Sequence, residues 1–228
     1  VNLFKDRISI LLSLLILLSG CGVWENFTTY FNLYYNADEL YTKIEKQILD
    51  QKKDLFSIET STIPPAANAD VQKLIEKCSA ILQFSPNSSY VDDALMMLGK
   101  SFYYQKNYLK SQKKFEELIA SDPDGEYFLE SRLWIGKCEM RLRNYADGLV
   151  VLKEVRDIAI EEDKEEIMEE AYIEEIVYRK TIEDIPAAIL IANEFLEISD
   201  NDEINGELWY EVGNLNMEID DLENAVIA

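Results

Sequence analysis

The 228-residue sequence predicts an all-α protein built from repeated antiparallel helix pairs. Three observations carry that expectation. Turn residues are scarce, 8 Gly and 5 Pro set against many Leu, Ile, Glu, Ala and Lys, which disfavours a many-stranded sheet. Apolar residues recur at three- and four-residue spacing through most of the chain, the period of one helix face. Reference positions Gly99, Gly136, Ile176 and Gly213 follow one another at 37, 40 and 37 residues, the length of a helix-turn-helix unit.

The first segment, residues 1–20, reads as an export address. Lys5 and Arg7 precede the apolar stretch from Ile8 to Leu18, which is shorter than the roughly 20 residues needed to span a bilayer. Leu18-Ser19-Gly20-Cys21 resembles the lipobox of bacterial lipoproteins. The resemblance implies cleavage before Cys21 and acylation of its sulfur and new amino group, with Ser19 and Gly20 small enough to enter a narrow protease site. Several acyl chains, at about 0.8 kcal/mol per buried CH₂, make such an attachment lasting. Gly22 stands where an aspartate would imply retention in the inner membrane. The expected location is therefore the outer membrane, facing the periplasm.

Residues 21–56 follow as an aromatic helix beside the anchor. Phe27, Tyr30, Phe31, Tyr34, Ala37, Tyr41, Ile44 and Ile48 form one stripe, suited to packing on the first repeat or to a half-wet membrane boundary. Residues 57–69, with Ser-Thr-Ser-Thr and Pro64-Pro65, read as a loop. Asp70 is the expected N-cap of a helix reaching Phe84, which Ser85-Pro86-Asn87 ends.

From residue 70 to 228 the repeat takes over. Each reference position is followed nine residues on by Tyr108, Tyr145, Ile185 or Leu222, and twelve on by Ser111, Gly148, Ala188 or Ala225. A glycine facing a second small residue lets two helices approach closely. Phe115 and Leu152 are the large residues of the second helix, and Pro123 closes the first clear unit. The last unit stops a few residues into its second helix, so a longer natural polypeptide is expected.

This pattern resembles the tetratricopeptide repeat: Leu95 with Leu98-Gly99, Ile135-Gly136, and Trp209 with Val212-Gly213 match its apolar and Leu-Gly positions. The resemblance implies a right-handed α-solenoid of antiparallel helix pairs. Leu118 and Val155 depart from it, standing where alanine is usual. The run Asn26 to Ala37 also resembles the gliding-motility and type IX secretion lipoproteins of the SprE/PorW group. Tyr90 to Tyr104 is similar to assembly lipoproteins of the BamD type. Both resemblances imply an envelope scaffold serving secretion or outer-membrane assembly.

Composition excludes much else. Histidine is absent, which removes the commonest general base and metal ligand. A net charge of -22 repels nucleic acid. The acid is concentrated late: Cys21 to Lys153 holds 19 acidic and 16 basic residues, Glu154 to Ala228 24 and 4. Runs such as Glu161-Glu162-Asp163 lack a calcium loop's glycine turn or the facing carboxylates of a glycosidase, and read as a solvated face. Cys78 and Cys138 lie in different units and are expected as buried free thiols. No phosphate loop or nucleophile elbow occurs, so no catalytic residue, metal site or cofactor is expected apart from the covalent lipid.

The functional expectation is a non-enzymatic scaffold that grips protein partners in the envelope, basic ones at the acidic C-terminal repeats. The rival is a SusD-like glycan-capturing lipoprotein, which would need long insertions carrying exposed aromatics. An envelope enzyme with a catalytic domain past Ala228 is a third possibility.

Overall fold

The computed structural model describes residues 26–51, 54–59, 61–219 and 224–225. Leu18, Ser19, Gly20 and Cys21 lie outside them, and with them the whole export address. Among the described residues the chain is helical, without strands. Its helices are α1 (Tyr35–Leu49), α2 (Asn68–Phe84), α3 (Val91–Tyr104), α4 (Tyr108–Ser121), α5 (Phe128–Arg141), α6 (Tyr145–Glu161), α7 (Glu165–Thr181), α8 (Ile185–Ile198) and α9 (Asp202–Glu218).

Successive helices pack in pairs and stack into a solenoid. Each helix touches the next in sequence, and α3 also touches α5, as α5 does α7. The odd-numbered helices thus stand side by side as one wall, with the even-numbered helices behind them. No described helix is long and apolar enough to cross a membrane.

The aromatic helix is the first half of a hairpin. Thr29 Oγ1 donates to Ser85 Oγ at 2.7 Å near one end, and Lys43 pairs with Asp70 at 2.6 Å near the other, so α1 and α2 run antiparallel. The expected single stripe does not survive intact. A π-helical turn at Tyr30–Tyr34, closed by the Tyr35 N–H on the Tyr30 carbonyl, puts an extra residue into the helix and rotates what precedes it. Tyr30 and Tyr34 pack on Tyr90, the latter stacked at 4.2 Å, whereas Phe27 and Phe31 are 55% and 59% exposed.

Two boundaries also differ from expectation. The first helix ends at Leu49, well short of residue 56. The loop expected over 57–69 ends in a 3-10 turn at Pro65–Ala67, whose pre-set φ nucleates α2 at Asn68. Asp70 is therefore in the first turn of α2 and not its cap; its carboxylate is held below the usual range by the hydrogen bond from Lys43.

Within the repeats the turns share one geometry. Lys106, Arg143 and Glu183, each seven residues after a reference position, have φ of 60°, 65° and 62°. Beyond them the amides of Asn107, Asn144 and Asp184 donate to the carbonyls of Phe102, Glu139 and Arg179 at 2.8, 2.9 and 2.9 Å, closing each helix as a Schellman-type turn. The recurrence of a left-handed residue at the same offset in three units shows the repeat in the backbone itself; Asp163, with φ of 53°, adds a fourth in the α6–α7 turn.

Candidate functional site

The small residues singled out from sequence sit at helix crossings. A Cβ on Gly99 would meet the Phe115 ring at 2.5 Å, so the ring from α4 rests directly on the backbone of α3. Ser111, fully buried, donates from Oγ to the Gly99 carbonyl at 2.8 Å and lies 3.3 Å from Cys138 Sγ. In the next unit a Cβ on Gly136 would lie 3.0 Å from Leu152, and one on Gly148 3.5 Å from the Gly136 carbonyl. Ile176 and Ala188 are both fully buried at the α7–α8 crossing. Gly213 is buried in α9, and Ala225 is half-buried. Gly99, Ser111, Gly136 and Gly148 lie in close helix–helix contact and do not form a ligand-binding constellation.

The constellation lies on the wall of odd-numbered helices. There a cation on one helix repeatedly meets an acid on the next. Lys100 of α3 pairs with Glu130 of α5 at 2.7 Å and with Glu45 of α1 at 3.6 Å. Lys137 of α5 pairs with Glu170 and, at 3.6 Å, with Glu174 of α7; Arg141 reaches Glu174 at 3.4 Å. Lys180 of α7 pairs with Glu211 of α9. The register is partly that of the repeat: Lys100 and Lys137 each directly follow a reference glycine, and Glu130 and Glu170 each stand six residues before the next reference position.

Aromatic rings floor the ladder. Trp134 is nearly buried between two ammonium groups, Lys137 at 4.2 Å and Lys100 at 5.4 Å from the ring, with Phe115 stacked at 5.9 Å and Tyr103 edge-on at 5.0 Å. Burial of Lys137 opposes its charge, but Glu170 and Glu174 outweigh that, and the ammonium titrates above its ordinary range. The arrangement holds fixed charges in a shielded furrow. It offers no nucleophile paired with a base, and among the described residues no acidic or thiol cluster could hold a metal.

Cys78 and Cys138 are free and buried, in separate core clusters. Burial pushes both thiols up to about 12.

One part of the site had no counterpart in the sequence reading. The connection between α1 and α2 folds over the wall, and Phe56, 2% exposed, joins the apolar cluster of α7, α8 and α9 with Tyr172, Ile176, Phe195 and Leu208. Lys180 Nζ donates to the Phe56 carbonyl at 3.0 Å, a contact across 124 residues. A cavity of about 290 Å³ remains between this connection and the wall, lined by Leu55 and Ser61 of the connection and by Ile48, Tyr104, Trp134, Lys137 and Ile173 of the odd-numbered helices. The only local signal was an apolar pair, Leu55-Phe56, set in polar surroundings.

These features define a helical-repeat solenoid with a lined groove. The tetratricopeptide repeat family model matches residues 93–125, which span most of α3 and α4. A crystal structure of MamA is similar in fold, with a TM-score of 0.55 and 13% identity, covering 71% of this chain and 85% of that one. A second MamA structure, designated AMB-1, gives 0.51 and 12%, covering 84% and 85%. No curated protein matches the sequence. The matched segment coincides with the unit in which Gly99, Ser111 and Pro123 were most regular.

Proposed function

We propose that this chain is a non-enzymatic protein-binding scaffold whose odd-helix groove grips a segment of a partner, held at the outer membrane by a lipid on Cys21. The ladder from Glu45 to Glu211 is the observation that carries the binding half of this reading: its charges are fixed and shielded, which favours specificity over nonspecific adhesion. Solenoids present such faces to extended peptides and helices. The anchoring half rests on Leu18-Ser19-Gly20-Cys21, and the exposed rings of Phe27 and Phe31 a few residues later suit a bilayer surface. Support of secretion or outer-membrane assembly machinery is the role we assign, on the resemblance of the 26–37 and 90–104 runs.

The late acid is partly committed internally, since Glu170, Glu174, Glu175 and Glu211 pair with cations of α5, α6 and α7. The remaining exposed carboxylates are the ones offered to a basic partner. A glycan-capturing groove finds less support: Tyr103 and Trp134 are 3% and 4% exposed and present no open face to a sugar, and the exposed Trp209 and Tyr210 are on α9, away from them in the chain.

Affinity capture of the acylated protein from its own envelope tests the reading. Recovery of envelope proteins in a salt-sensitive manner, with loss of membrane association in Cys21→Ala, is the expected result. Recovery of glycans alone, or unchanged membrane association of Cys21→Ala, contradicts it.

A further inference from the structure

The turns joining α3 to α4, α5 to α6 and α7 to α8 take three residues each, whereas the α1–α2 connection runs from Asp50 to Ala67. A helical hairpin does not need that length; connections in bundles are usually about 2–8 residues. The excess is shaped. Gln51 Nε2 donates to the Thr62 carbonyl at 2.8 Å and clips the base together. At the tip Asp54 organises a turn, its Oδ1 accepting from the Phe56 N–H at 2.9 Å and its carbonyl from the Ser57 N–H at 3.2 Å. The turn delivers the Phe56 ring into the apolar cluster of α7, α8 and α9, with Leu55 packed against it, and one carbonyl to Lys180. The cavity of about 290 Å³ beneath it leaves room in the groove beside Leu55, Ser57 and Ser61.

We propose that the Phe56 turn is a tethered occupant of the groove, holding the place of a partner's non-helical segment that presents an aromatic side chain and an acceptor carbonyl on the same residue. This rests on the groove reading above and specifies its ligand. Phe56 shows what the pocket takes: a ring buried in the apolar cluster that also holds Tyr172, Ile176 and Phe195, with Lys180, itself fixed by Glu211, as donor. A tethered segment acts at an effective concentration in the millimolar range, so a partner with one such residue competes poorly unless further contacts along the ladder help it. The strap thereby selects partners that engage both the pocket and the charges between Lys100 and Glu174.

The test uses a fluorescent peptide of residues 50–64 and its counterpart with alanine in place of Phe56. Binding is measured by anisotropy to the wild-type chain, to Phe56→Ala, and to a chain whose residues 52–61 are replaced by a Gly-Ser linker of equal length. The linker variant covers the case in which Phe56→Ala fails to fold, and circular dichroism verifies each. The native peptide should bind the opened variants at least about tenfold more tightly than wild type. The alanine peptide should not, and Lys180→Met in the opened chain should weaken the native one. Equal binding to wild type and opened chains, or none to a folded opened chain, overturns the inference. That outcome leaves partner capture by the rest of the groove standing, so the two readings fail separately.

Discussion

Arg156 on α6 and Glu175 on α7 form a buried ion pair, 2.9 Å from Nη1 to Oε2, with residue exposures of 7% and 2%. The guanidinium also lies 4.7 Å over the Tyr172 ring, and Arg179 meets the other carboxylate oxygen at 3.4 Å. Taking Arg156 away leaves the buried carboxylate with Arg179 alone, and taking Glu175 away leaves the buried guanidinium only its longer contacts to Asp157 and Glu194, at 3.8 and 3.9 Å. Arg156→Met should lower the unfolding free energy by about 3 kcal/mol, the lower part of the range because Arg179 remains. The double variant Arg156→Met/Glu175→Met should recover most of that loss, since Arg179 keeps Asp184 at 2.9 Å. Urea unfolding of the three chains measures the cycle.

Gly99→Ala forces a methyl onto the Phe115 ring and should cost about 1–3 kcal/mol by overpacking. Gly206, in α9, has nothing within 4 Å of a built Cβ. Gly206→Ala should therefore stabilise by about 0.5–1 kcal/mol, because it gains helix propensity without strain. Opposite shifts of the thermal midpoint for the same substitution check the assignment of Gly99 as a crossing.

The left-handed residues make a third test. A side chain in that backbone region costs about 1–2 kcal/mol, and glycine gives back part of this as lost entropy. Lys106→Gly and Arg143→Gly should each raise stability by about 0.5–1 kcal/mol. Glu116→Gly, at an exposed position in the middle of α4, should lower it by about 1 kcal/mol. Chemical denaturation distinguishes the two signs.

The thiols begin the alkaline decline, to which buried tyrosines such as Tyr103 and Tyr104, also raised by burial, add at higher pH. Burial holds Cys78 and Cys138 protonated up to about 12, above the value of an exposed thiol near 8.5. A folded value raised above the unfolded one means stability that is intact below about pH 8.5 and falls as pH rises toward 12. Stability should decline over that window, less steeply in Cys78→Ala/Cys138→Ala. At pH 8 neither thiol should react with iodoacetamide until the chain is unfolded.

Much of the architecture was legible because helix crossings write themselves into sequence as size. Gly99 with Ser111 and Phe115, and Gly136 with Gly148 and Leu152, repeat at a fixed offset since close approach admits nothing larger. The left-handed turns were not legible: glycine is the usual signal, and Lys106, Arg143 and Glu183 carry none. The π turn at Tyr30–Tyr34 likewise leaves no composition mark, so one stripe was read where the helix presents two faces. Cross-helix pairs such as Arg141 with Glu174 depend on which side of each helix meets its neighbour, which charge counts cannot supply. The Phe56 contact depends on a fold-back across several units, and local periodicity does not encode it.

Site-specific photo-crosslinking in the native envelope tests the groove most directly. A photoreactive residue at Tyr104 or Ile173 faces the cavity on the odd-helix wall; at Val150 or Leu190, 58% and 59% exposed, it lies on the even-numbered helices. Protein adducts formed from positions 104 and 173 and not from 150 and 190 are the expected result. Adducts arising only from 150 and 190 would contradict the account.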